Sequence, residues 1–178
     1  MPSMTPQARR RLAFQVLFQI DAQSGGGTPD VHQILAQMEL DEGTADRDRA
    51  EVAAIAQGAW QARRNADKDT AALAPGWPAH RQAAVDRAIL RLAHYLLNTP
   101  TAPCAAPAPA VISDAVDLAR EFSTEKSPAF VNALLDKVYK ATPAGKAAAA
   151  NPPVANPPVA NPPSDTPPVA PPPAPEAP

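Results

Sequence analysis

The chain has 178 residues, a formal net charge of −2, 24 prolines and a single cysteine. One cysteine excludes an internal disulfide, and the three histidines have no metal-ligand spacing with it or with each other, so no metal site is expected. No apolar stretch approaches the roughly 18 uninterrupted residues of a membrane span, and the apolar run near the N-terminus lacks the cleavage site of a signal peptide. The sequence therefore predicts a protein of the reducing cytoplasm.

Helical periodicity runs through the chain from Thr5 to Lys140, and strict two-residue alternation does not occur in it. Three predicted helix starts share one device, a hydroxyl residue followed by proline, at Thr5-Pro6, Thr28-Pro29 and Ser127-Pro128. The hydroxyl can cap the helix, and a proline in the first turn lacks only an N–H that would have no partner there.

The apolar positions predict about six helices within the first 141 residues. The first covers about residues 6–23, the third about 46–68 and the last about 128–140, with a short second helix, a strongly periodic fourth and a fifth that follows a proline-rich loop. The residues expected to face the core include Leu17, Ile20, Ile34, Leu35, Ile55, Ile89, Leu92, Leu96, Ile112, Val116, Phe122, Leu134 and Leu135. The pattern predicts an all-α fold, a compact bundle of six to seven helices around one core.

A change of composition at Thr142 predicts a domain at residues 1–141 and a tail at 142–178. The tail holds 14 of the 24 prolines, lacks Leu, Ile and aromatic residues, and repeats units such as NPPVA every five residues. Such a segment has nothing large to bury, so it is expected to be disordered with polyproline II character. It serves either as a solubilising tail or as a docking strip for a proline-reading partner.

Sequence motifs for catalysis are absent. The chain has no phosphate-binding loop, dinucleotide fingerprint or nucleophile elbow. Asp114 and Asp117 could pair as acid and base on one helix, but solvated surface charge is the simpler interpretation. The sequence therefore predicts no catalytic residue, no cofactor and no enzyme activity.

Arg9, Arg10 and Arg11 are the one concentrated positive feature of a body that carries 15 basic and 16 acidic side chains up to residue 140. Cations at a helix N-terminus oppose the helix dipole, which argues for a use beyond solvation. Successive positions spread over most of a helical turn, so two guanidinium groups are expected to contact phosphates while the third points aside. Guanidinium groups fork onto phosphate and stack on unpaired bases, which suits single-stranded RNA.

Three segments, VDRAILRLAHYLL, PAPAVISDAVDLAREFS and SPAFVNALLDK, follow the arginine-bearing helix in that order. Together they resemble the NusB transcription antitermination family, from about Ala8 to Tyr139. The resemblance implies a small all-α protein that binds the boxA element of ribosomal RNA leader transcripts as a heterodimer with the ribosomal protein NusE. It also implies that this complex joins RNA polymerase and suppresses premature termination, and that the free protein can form a homodimer.

The resemblance and the residue chemistry together give two sets of candidate site residues. The RNA-binding candidates are Arg9, Arg10, Arg11, Gln15, Phe130 and Asn132, with Phe130 either a stacking platform or a core residue. The partner-binding candidates are Asp86, Arg87, Arg91 and Glu121, for which ordinary solvated charge is the alternative.

Two departures from the family pattern leave the affinity for RNA open. Ser113-Asp114 stands where the family usually has Asn-Glu, and Ala133 stands where it usually has Gly. Two rival functions also remain. One is a non-catalytic protein-interaction module. The other is a helical domain like the one that precedes the catalytic part of an rRNA cytosine methyltransferase, although an αβ domain would then be expected in place of the proline repeats.

Overall fold

The computed structural model describes residues 3–23, 30–38 and 44–150. These residues form seven α-helices and one short 3-10 turn, at Ala79–Arg81, and contain no strand. The helices are α1 (Pro6–Gln23), α2 (Val31–Gln37), α3 (Asp46–Leu73), α4 (Ala84–Asn98), α5 (Ala108–Phe122), α6 (Ser127–Ala141) and α7 (Pro143–Ala150). The predicted all-α bundle is confirmed. None of these helices combines the length and the apolar character needed to cross a membrane.

Helix α4 lies at the centre of the bundle and packs against α1, α3, α5 and α6. It is buried on nearly all sides, since Leu90, which lies outside the predicted stripe, is as inaccessible as Ile89. Its buried residues include the polar Asp86, Arg91 and His94 as well as the apolar ones, because other helices surround it. Burial of each large apolar side chain stabilises the fold by about 1.5–3 kcal/mol.

The helix starts match the predicted capping device at one site of the two that can be compared. The Thr5 hydroxyl accepts a hydrogen bond from the Ala8 amide at 3.1 Å, as predicted. Thr28-Pro29 lies outside the described residues, and Asp30 caps α2 instead. The prediction for Ser127 is wrong, because this residue lies inside the first turn of α6 and its hydroxyl donates to Asp86 Oδ2 at 2.9 Å.

Helix α7 is absent from the sequence prediction, which expected extended chain from Thr142 onward. The Thr142 hydroxyl accepts from the Gly145 amide at 3.0 Å and so starts a helix through an alanine-rich segment. Alanine is the best helix former, and here it outweighs the proline-rich context. Residues 151–178, for which disorder is predicted, lie outside the described residues.

Candidate nucleic-acid interface

Arg10 is turned into the protein and joins α1 to α5. Its Nε donates to Asp114 Oδ2 at 2.7 Å, its Nη2 lies 2.5 Å from the same oxygen, and its Nη1 donates to the Cys104 carbonyl at 3.0 Å. Only 8% of the arginine side chain is exposed. Asp114, predicted to be solvated surface charge, is instead half-buried and also accepts from Gln7 at 3.0 Å. Arg10 therefore holds helices together.

Arg9 faces the start of α3. Its guanidinium pairs with Glu51 and lies 3.5 Å from Asp48, whose side chain is fully buried. Asp48 also accepts hydrogen bonds from the Ser3 hydroxyl at 2.9 Å and from the Met4 amide at 2.8 Å. The pairing fastens the chain before α1 to α3 and leaves little of Arg9 for a ligand.

Arg11 is the most exposed of the three arginines, with 45% of its side chain accessible. It pairs with the equally exposed Glu121 at the end of α5, and its guanidinium lies 5.1 Å from the centre of the Phe122 ring. Phe122 is itself 36% exposed and packs against Phe14, with ring centroids 5.4 Å apart. The structure thus differs from the expectation that two arginines face outward.

Phe122 was expected in the core because it continues the apolar spacing of α5. It is the last residue of that helix. At the end of the helix the ring is only partly covered by neighbouring helices, so it is a surface residue. We call Arg11, Glu121 and Phe122 the rim cluster.

The other RNA-binding candidates differ from the rim cluster in their exposure and surroundings. Gln15 is half-buried on α1, and Phe130 is half-buried with its ring packed against the core. Asn132 is exposed on α6 and lines a shallow groove with Val116 and Arg120 of α5.

Three of the four partner-binding candidates, Asp86, Arg87 and Arg91, make hydrogen bonds between helices of the bundle. Arg87 donates to Asp21 through Nε at 3.0 Å and Nη2 at 2.6 Å. Arg91 bonds Asp21 at 2.8 Å and Asp67 at 2.8 and 2.7 Å. We call Asp21, Asp67, Arg87 and Arg91 the ion cluster; it joins α1, α3 and α4.

The sequence interpretation of these charges as surface groups therefore needs correction. Arg91 and Asp86 are 8% and 6% exposed, and Asp86 accepts from the buried Ser127 hydroxyl. The helical wheel placed them off the apolar stripe, but α4 is enclosed on that side too. Glu121 alone of the four is exposed.

The carboxylates of these pairs have perturbed pKa values. Burial would raise the pKa of Asp21, but the hydrogen bonds and charges of Arg87 and Arg91 outweigh it and lower the pKa below its ordinary 3.8. The hydrogen bond from the Met4 amide lowers the pKa of Asp48, against the opposing effect of burial and with further help from Ser3 and Arg9. Both carboxylates are therefore ionised wherever the protein is folded near neutral pH.

We expect the protein to lose stability in acid. A carboxylate with a lowered folded-state pKa stabilises the fold fully above its ordinary value of 3.8 and ceases to do so as the pH falls through the lowered value. Urea unfolding measured from about pH 6 down to about pH 2 should show this decline. Asp21→Asn should be less stable at neutral pH and show a shallower decline, whereas Asp117→Asn, at an exposed pair, should follow the parent. Equal acid profiles for all three proteins would contradict the assignment.

The arrangement of the described carboxylates also bears on metal binding. Within the residues that the structure describes, no group of three or more His, Cys, Asp or Glu is arranged to hold a metal ion. Burial raises the pKa of the Cys104 thiol, which disfavours the reactive thiolate. The rim cluster offers a cation, a carboxylate and an aromatic ring together at the surface.

Comparisons with known proteins agree with this architecture. The NusB family model matches residues 7–140. The transcription antitermination protein NusB of Herpetosiphon aurantiacus is 37% identical over 129 residues, which cover 72% of this chain and 86% of that protein. Its counterpart in Symbiobacterium thermophilum is 39% identical over 144 residues, covering 77% and 90%.

Solved structures show the same fold. NusB from T. maritima superposes with a TM-score of 0.69 at 27% identity, covering 79% of this chain and 94% of that one. A chain of the crystal structure of antitermination factors NusB and NusE in complex with dsRNA gives a TM-score of 0.61 at 22% identity, covering 76% and 96%. At that identity the second match shows the fold alone.

Proposed function

This chain belongs to the NusB family, and we propose that it is a non-catalytic transcription antitermination factor of the cytoplasm. In this proposal it binds the boxA element of ribosomal RNA leader transcripts together with the ribosomal protein NusE, and the complex keeps RNA polymerase from terminating prematurely. The names of its relatives support antitermination, and a structural neighbour assembled from NusB, NusE and double-stranded RNA supports both partners.

The rim cluster is the observation that carries RNA binding by this chain. An exposed aromatic ring with a guanidinium over its face offers stacking and positive charge at one place, which is what an unpaired nucleotide requires. Phe122 and Arg11 have that arrangement at 5.1 Å. A single strand laid across the ring brings its phosphate to the guanidinium.

The Glu121 carboxylate orients the Arg11 guanidinium but leaves it able to bind a phosphate instead. Both side chains are nearly half exposed, and ion pairs of that kind contribute little to stability. A phosphate can therefore replace the carboxylate at small cost. Arg9 and Arg10 differ, because release from their carboxylates would leave buried charges without partners. We infer that these two arginines position α1 and that Arg11 makes the RNA contact.

A site with so few cations binds RNA weakly alone, so a second protein that adds phosphate contacts is physically reasonable. If two or three phosphates are neutralised in all, the log–log slope of affinity against salt is only about −1.5 to −2 for single-stranded RNA. The basic surface of a ribosomal protein would enlarge that footprint. In this proposal Glu121 and Asn132, both exposed, are the remaining candidates for contact with the partner or the RNA.

We expect Arg11→Ala to weaken binding of a boxA oligonucleotide at least about tenfold, because a hydrogen bond to a charged group is worth about 1.5–3 kcal/mol. The salt slope should fall in magnitude by about 0.7, the contribution of one phosphate on a single strand. Fluorescence anisotropy of labelled RNA, measured with NusE at several salt concentrations, gives both quantities.

Two matched variants complete the test. Lys140→Ala removes an exposed cation that pairs with Asp136 on α6, so it changes net charge equally and should leave affinity nearly unchanged. Glu121→Gln removes the carboxylate that competes with phosphate and should raise affinity for RNA alone. If Arg11→Ala and Lys140→Ala behave alike, the cluster is not the contact, and a pure protein-interaction module becomes the better explanation.

A further inference from the structure

The construction seen at the rim cluster occurs a second time in the protein. Among the described residues, two large hydrophobic side chains are exposed, Phe122 and Trp77, the latter at 44%. Each has an arginine over its ring: the Arg81 guanidinium lies 5.5 Å from the centre of the Trp77 indole. Trp77 and Arg81 thus present part of an aromatic ring and a cation together at the surface.

The backbone around Trp77 is anchored. Its amide donates to the Ala74 carbonyl at 2.9 Å, and its carbonyl accepts from the Gln82 side chain at 3.0 Å. Gln82 is itself 6% exposed, so this bond is made inside the protein. The Arg81 amide donates to the Pro78 carbonyl at 2.8 Å and closes the turn that places the arginine over the ring. The backbone that carries the ring is thus held in place, which lowers the entropy cost of ordering the loop when a ligand stacks on it.

The surrounding charge favours an anionic ligand. No Asp or Glu occurs from Thr70 to Val85, whereas His80 and Arg81 are both exposed there. Lys68 lines the adjoining cleft together with His80. The carboxylates of the ion cluster that border this cleft are bonded to Arg87 and Arg91.

We propose that Trp77 and Arg81 form a second contact for single-stranded RNA, in which a base stacks on the indole and a neighbouring phosphate pairs with the guanidinium. The proposal rests on the RNA-binding function proposed above and extends its footprint. Arg87 bonds both Asp21 and the Ala79 carbonyl, so the Trp77 loop lies at the C-terminal end of α1. Arg11 is in the second turn of the same helix, about 15 Å away along its axis at 1.5 Å per residue. The second contact takes leader nucleotides that flank those at the rim cluster.

The two tryptophans allow a direct measurement. Trp60→Phe leaves Trp77 as the only indole, and Trp77→Phe leaves Trp60, which is half-buried between Arg63 and Arg91. A leader RNA that spans boxA and its flanks should quench the fluorescence of the Trp60→Phe protein, because stacked bases quench indole emission, and should spare the Trp77→Phe protein. Trp77→Ala should lower the affinity for this RNA about tenfold, the effect of losing one stacked base.

The outcomes separate the two proposals. Binding of labelled RNA by the parent protein, with loss in Arg11→Ala, supports the proposed function whatever Trp77 does. If the parent binds while Trp77 emission stays constant and Trp77→Ala binds equally well, the second contact is wrong and the first stands. If NusE without RNA changes Trp77 emission and RNA adds nothing, the loop is a protein contact and the second-contact proposal is overturned. If no RNA binds to any variant with NusE present, both fail. Circular dichroism of Trp77→Phe and Trp77→Ala confirms that each is folded before comparison.

Discussion

Replacement of Arg91 by methionine is expected to lower the free energy of unfolding by about 3–5 kcal/mol, the usual cost of removing one partner from a buried ion pair. Arg91 has only 9% of its side chain exposed and spends all three guanidinium nitrogens on Asp21 and Asp67. Methionine fills much of the same space, so the loss measures charge and hydrogen bonding more than cavity formation. Urea unfolding monitored by circular dichroism gives the value.

The matched control is Arg120→Met. Arg120 pairs with Asp117 three residues earlier on α5, with 66% of its side chain exposed, so its loss should change the free energy of unfolding by no more than about 0.5 kcal/mol. Because both variants replace arginine with methionine, the difference between their free energies of unfolding measures the effect of burying the ion pair. Equal effects at Arg91 and Arg120 would show that the ion cluster does not hold the bundle together.

The second large effect is expected for Asp114→Ala, which should destabilise the protein by about 3 kcal/mol. The change leaves the guanidinium of Arg10, 8% exposed, with the Cys104 carbonyl but without the carboxylate that balances its charge. Asp117→Ala, one turn further along the same helix, removes only an exposed pair and should stay within about 0.5 kcal/mol of the parent.

Asp114→Ala also distinguishes positioning from binding. Below its lowered unfolding transition, the variant should still bind RNA through Arg11, since Arg11 pairs with Glu121 and not with Asp114. RNA affinity close to that of the parent, combined with reduced stability, is the expected pattern. Undiminished stability would contradict the structural role of Arg10, and a rise in RNA affinity would show that the guanidinium released from Asp114 can serve the interface.

The fold was predictable because local signals agree with each other along the chain. The bounds of α1, the Thr5 cap and the spacing of Leu17, Ile20, Ile89 and Leu135 all indicate helices with one apolar side, and the structure buries each of these residues. Helix α7 was missed because composition, which is dominated there by the prolines that follow, says nothing about the capping bond from Thr142.

The polar interior was not predictable in the same way. Asp21 lies 66 residues from Arg87 and 70 from Arg91 in sequence, so periodicity within one helix cannot show that these charges meet. The three adjacent arginines show the same limit. Their identity predicts a positive helix end, but only the positions of Asp48, Asp114 and Glu121 on other helices decide which guanidinium is buried and which is available.

The junction of α6 and α7 also fixes where the remaining chain leaves the body. A Cβ at Gly145 would lie 2.0 Å from the Tyr139 carbonyl oxygen, so α7 seats against the end of α6 at a distance that only glycine permits. The proline repeats therefore follow a helix that is packed against the body of the protein. If the tail is the docking strip that the sequence allows, its ligand is tethered near the end of α6, at a local concentration set by the length of chain between Ala150 and the binding site.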